Sequence, residues 1–140
     1  MDGTKRTIEL YIPSELGFEK VAMASASAVA RRMGFSIERV EDLKTAISEA
    51  CINAIEYGSE FDVSTKVLII LNVSSQELEV NVVDQGKREF PDTPAEPGAR
   101  EDNRGWGIFL IKNLMDEVEV SKAPDGGNQI RMVIHLEKQG

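Results

Sequence analysis

The sequence predicts an α+β fold, a two-layer sandwich in which a mixed, mostly antiparallel sheet carries its helices on one face. Three observations lead there. Short runs alternate apolar with polar residues, as half-buried strands do, whereas residues 43–54 repeat at helical spacing. The elements follow the order β-α-α-β-β-loop-α-β-β, which lacks the regular βαβ alternation of a doubly wound sheet. The 140 residues are 41% hydrophobic, enough for one contiguous core, so we expect a single domain over 1–140, without internal repeat or linker.

The first strand is read over residues 4–13, where Ile8, Leu10 and Ile12 alternate with Thr7, Glu9 and Tyr11. Pro13-Ser14 ends it, and Ser14 is read as the cap of a helix from about Glu15 to Met33, stopped by Gly34. Ser36 then caps a second helix running to about Tyr57, with Gly58 in the place of a left-handed terminating residue. Val67 to Val73 is nearly continuous in apolar residues, which suggests a strand covered on both faces. Leu78, Val80 and Val82 alternate with polar neighbours up to Asp84, after a turn at 74–77. Residues 87–104 carry three prolines among charged residues and no periodicity; they read as a lid or a surface insertion. A helix from about Trp106 to Met115 and strands near 118–122 and 129–137, joined by Pro124-Asp125-Gly126-Gly127, complete the chain.

Charge and cysteine usage narrow the function classes. The net charge is −8 with no concentrated basic patch, which argues against a direct nucleic-acid partner. Cys51 is the one cysteine, so an intramolecular disulfide is excluded and zinc-ligand spacing is absent. No apolar leader region opens the chain and no run approaches about 18 apolar residues, so a cytoplasmic protein with no membrane partner is expected.

Three motifs carry the chemistry. In the second helix Leu43, Ala46, Ile47, Ala50, Cys51 and Ala54 form an apolar arc, and Glu49 and Asn53, four apart, share its flank. An amide oxygen is a hard neutral donor suited to magnesium, which keeps several waters and takes few protein ligands. Glu49 beside it would act as a base or orient a metal-bound water. Asp84 ends a strand and Gly86 follows, so a carboxylate can accept from an exocyclic amine while the backbone approaches the ring. Gly105-Trp106-Gly107 opens a helix whose free N–H groups suit phosphate, and Arg104 just before it is placed to reach a terminal phosphate or to remain a surface charge. Trp106 is read as packing either under the lid or in the core. Each motif alone is a common local pattern, but together they supply what ATP and Mg2+ require. His135, the one histidine, is read as structural or exposed.

The stretches ISEACINAIEYG, VVDQG and RGWGIFLIKNLMDEVEV, in that order, resemble the N box and the two glycine boxes of the GHKL ATPase/kinase superfamily, which has the Bergerat fold. More narrowly, the chain resembles the bacterial anti-sigma-factor serine/threonine kinases. The resemblance implies that Glu49 is the general base, that Asn53 binds Mg2+, and that Asp84 contacts the adenine amino group. Gly86, Gly105 and Gly107 would shape the pocket and hold the phosphates, with 87–104 as the ATP lid. It implies as partners a STAS-type anti-sigma-factor antagonist, which is the substrate, a sigma factor met through Lys20, and a second copy in a homodimer. The chain departs from the family pattern at Lys87-Arg88, where a second glycine often stands, at Tyr57 in place of a histidine, and at Asn128-Gln129 in place of threonines. Two other readings remain: a nucleotide-sensing switch module without phosphotransfer, and a detached sensor histidine kinase domain. The second is disfavoured because the first strand begins near residue 4, leaving no phosphoacceptor helix pair before it.

Overall fold

The computed structural model describes residues 5–58, 60, 62–86, 104–124 and 126–136. Five strands, β1 (Arg6–Pro13), β2 (Lys66–Val73), β3 (Glu77–Val83), β4 (Glu117–Lys122) and β5 (Asn128–His135), form one sheet in the order β1-β2-β3-β5-β4. All four pairings are antiparallel, so the mostly antiparallel sheet expected from the sequence is antiparallel at every described pair. Three helices, α1 (Glu19–Met33), α2 (Ile37–Asn53) and α3 (Arg104–Leu114), complete the α+β sandwich.

The strand period decides which face they cover. Ile69 and Leu71 of β2, Leu78, Val80 and Val82 of β3, and Ile130, Met132 and Ile134 of β5 point one way and are buried. They share one cluster with Ala22, Ala26 and Ala30 of α1, Leu43, Ala46, Ile47, Ala50 and Cys51 of α2, and Ile108 and Ile111 of α3. The alanines, four apart, let α1 lie close on α2, which packs between α1 and α3. Burial pushes the Cys51 thiol up to about 12, which marks it as an inert core residue. No described helix is long and apolar enough to cross a membrane.

Ser36 caps α2 as the sequence indicates, its hydroxyl accepting from the Arg39 N–H at 3.2 Å. Gly34 stops α1 in the left-handed region at φ 101°. Ser14, however, does not cap α1. It is fully buried and bonds Thr65 through its hydroxyl (2.9 Å) and its N–H (3.2 Å). Gly17, at φ 109°, turns the chain, and α1 begins only at Glu19, whose carboxylate accepts from the Gly17 N–H at 2.6 Å.

The end of α2 also differs. After Asn53 the helix widens into a π turn over Ala54–Gly58, and Gly58 is not left-handed. β2 alternates rather than being covered twice: Leu68 and Ile70, on the outward face, are only half-buried. Of the expected lid, Arg104 opens α3 and the remainder, 87–103, lies outside the described residues.

Candidate nucleotide-binding site

The π turn carries the chain from Asn53 to Gly58 and so connects the first motif to the second. Gly58 lies directly against the Asp84 carboxylate, where any Cβ would overlap it. A Cβ on Gly86 would likewise land on the Gly58 carbonyl, and one on Gly127 on the Asp84 carbonyl. Three backbone segments thus close around one carboxylate, and only residues without side chains permit that approach.

Asp84 is 2% exposed. Its N–H donates to the Asn128 carbonyl at 2.9 Å, while its Oδ1 accepts from the N–H groups of Gly86 (2.8 Å) and Asn128 (3.2 Å). Its Oδ2 is buried and has no partner among the described residues. Burial pushes the carboxyl above its ordinary value, and the hydrogen bonds from Gly86 and Asn128 offset that only in part. An unsatisfied buried acceptor costs about 1–3 kcal/mol. Such an oxygen, fixed by its neighbour and lacking a donor, fits an exocyclic amine.

The first and third motifs meet where α3 packs against α2. Gly107 lies in the first turn of α3, where a Cβ would stand 3.0 Å from both Asn53 Nδ2 and Glu49 Oε1. Asn53 is 7% exposed and its Nδ2 also lacks a partner among the described residues. Glu49 is half-buried, and its carboxyl is raised first by burial and then by the charge of Glu56. A carboxylate held above its usual range is better matched to taking a proton near neutral pH. The first turn of α3, an 11-residue helix, therefore packs beside both the amide and the carboxylate.

Arg104 and Gly105 lie in that same first turn. Trp106 is half-buried and stacks on Phe109, one turn on in its own helix, with ring centroids 5.5 Å apart. Lys20 is not among the residues that meet around Asn53 and Asp84; it lines a groove between α1 and α2 with Met23, Arg31 and Lys44. Sequence reasoning missed Gly58, Gly127 and Glu56 as parts of the site. Gly58 and Gly127 look like ordinary terminators of a helix and a turn, and Glu56 is an unremarked charge three residues after Asn53.

The donors present fit an adenine nucleotide: an orphaned acceptor at Asp84, glycine-lined backbone beside it, and a helix N-terminus next to a buried amide. Residues 12–134 match the histidine kinase-like ATPase domain family, and the chain belongs to it. Within that class it is similar to Serine-protein kinase RsbW of Oceanobacillus iheyensis, 34% identical over 140 residues that cover 94% of this chain and 85% of the relative. It is also similar to Serine-protein kinase RsbW of Bacillus subtilis, 35% identical over 122 residues covering 81% of this chain and 76% of the relative. The fold matches a crystal structure of the RsbU and RsbW domains of a Mycobacterium tuberculosis protein, with a TM-score of 0.71 at 17% identity. That match covers 96% of this chain and 33% of the other.

Proposed function

We propose that this chain is an ATP-dependent protein serine/threonine kinase that acts as an anti-sigma factor, phosphorylating a STAS-type antagonist and binding a sigma factor. The observation that carries the reading is the convergence of Glu49 and Asn53 on Gly107 in the first turn of α3, together with the buried Asp84 Oδ2 that has no partner among the described residues. Its similarity to relatives named as serine-protein kinases supports the choice of hydroxyl substrate.

Bound Mg-ATP supplies the phosphoryl group. Asp84 Oδ2 accepts from the adenine amine and selects adenine over a guanine-type edge. Gly86, packed on the Gly58 carbonyl, shapes the turn that holds Asp84, and the N–H groups of the α3 first turn, with Arg104, Gly105, Trp106 and Gly107, hold the phosphates. Asn53 would offer its amide oxygen to the Mg2+ that accompanies the nucleotide, an ion that takes few protein ligands. Glu49 accepts the proton of the attacking serine or threonine hydroxyl, a contribution of about 10²–10⁴ in rate. Residues 87–104 are read as the ATP lid of a single domain over 1–140. Lys20 meets the sigma factor, and the protein works as a homodimer in the cytoplasm.

A pull-down from the native cytosol, with and without ATP, tests the partner half. A sigma factor or a small STAS protein should elute, in proportions that change with ATP. Recovery of neither in either state would overturn the anti-sigma assignment.

A further inference from the structure

The face of the sheet turned away from the helices carries a second constellation. The geometry points to a binding site for a late first-row divalent ion, of the Zn2+ class, formed by Glu77, Glu117 and His135. Glu77 of β3 and His135 of β5 are direct cross-strand partners, and Glu117 of β4 opposes Val133, one diagonal from His135. Three adjacent strands therefore each contribute one side chain to one spot. Their ligand atoms all lie within 4.8 Å of one another. His135 Nε2 stands 2.9 Å from Glu117 Oε2 and 3.6 Å from Glu77 Oε1. Two donors held tetrahedrally at about 2.1 Å from an ion lie about 3.4 Å apart, so these side chains need only small movements to coordinate.

The surroundings already orient the donors. Glu117 offers Oε2 to the site while its other oxygen, Oε1, lies 3.4 Å from the Arg131 guanidinium. Arg131 is itself fixed by Glu79, so it holds Glu117 without entering the cluster. Carboxylates that bind metal are held in this way by a hydrogen bond on the free oxygen. The His135 backbone N–H is tied at 2.7 Å to Asp116. The three side chains are 40–50% exposed, so an ion can enter from solvent.

One imidazole and two carboxylates form the mixed donor set that suits zinc and its neighbours, whereas Mg2+ favours all-oxygen sites and retains its waters. Two carboxylates balance the charge of a divalent ion. Three protein donors leave room for water or a partner's side chain. An ion here would tie β4 to β3 across β5, on the opposite face of the sheet from Glu49 and Asn53, so the inference does not rest on the kinase reading. Spacing rules do not reveal the cluster, because its members are 40 and 18 positions apart along the chain.

Titration of the full chain with zinc chloride at neutral pH, by calorimetry and by thermal shift, tests the site. One ion per chain should bind and raise the melting temperature, and excess Mg2+ should not displace it. His135→Ala and Glu117→Gln should each weaken zinc binding by at least about tenfold. His135→Ala should retain ATP affinity, which confirms that it is folded. Absence of zinc binding to the wild-type chain, or equal binding by His135→Ala, would overturn the assignment.

Discussion

Asp84→Asn separates the proposed adenine contact from the fold. The asparagine Oδ1 can still accept from the Gly86 and Asn128 N–H groups, so the turn closing on Gly58 is retained. What changes is the second position, where an NH₂ replaces the unpaired Oδ2 and presents a donor to the donor of the adenine amine. A hydrogen bond to an ionised acceptor is worth about 1.5–3 kcal/mol. Its loss raises the Kd for ATP about 10–150-fold. At a hundredfold excess over Kd, nucleotide stabilises the wild-type chain by about 2.7 kcal/mol. With Kd raised about a hundredfold, the same ATP concentration yields only about 0.4 kcal/mol. At about 4 °C per kcal/mol for a chain of this size, the ATP-induced rise in Tm should fall from about 10 °C to about 2 °C. Thermal shift with and without Mg-ATP, checked by calorimetry, measures this. An Asp84→Asn chain that binds ATP with wild-type affinity would refute the reasoning.

The remaining expectations concern the same site and one remote control. Glu49→Gln should stabilise the nucleotide-free chain at neutral pH. A carboxyl whose folded pKa is raised contributes stability that is present below its ordinary value of 4.5 and lost as pH rises through the folded value, so the variant's advantage should vanish in Tm scans below about pH 4.5. Gly107→Ala gains up to about 1 kcal/mol of helix propensity but places a methyl 3.0 Å from Asn53 and Glu49; Tm should change little while ATP affinity falls in calorimetry. Asn53→Ala should remove most of the Mg2+ dependence of ATP stabilisation, read as Tm with magnesium and with chelator. Ser36→Ala loses the α2 cap, so Tm should drop by about 4 °C, for about 1 kcal/mol, with ATP affinity unchanged.

What the sequence makes legible is local. Ser36 and Gly34 act where their neighbours along the chain imply, because caps and left-handed stops are settled within a few residues. The arc from Leu43 to Ala54 is buried as its period requires. The misread positions depend on partners distant in the chain. Ser14 is drawn to Thr65, 51 residues away, and leaves the helix start to Glu19. Gly58 lies beside Asp84, so its lack of a side chain serves a close approach and not a left-handed turn. The pairing of Gly107 with Glu49 and Asn53 is likewise a contact between helices that no local pattern encodes. Motif order singled these residues out; only the fold brings them to one place.

The most direct test is phosphotransfer itself. The purified chain is incubated with Mg2+, γ-labelled ATP and a STAS-type antagonist, beside a Glu49→Gln chain shown to bind ATP. The expected result is acid-stable label on a serine or threonine of the antagonist with the wild-type chain, and loss of about 10²–10⁴ in rate with the variant. Wild-type rates from Glu49→Gln would contradict the role given to that carboxylate, and no transfer by a wild-type chain saturated with ATP would contradict the kinase.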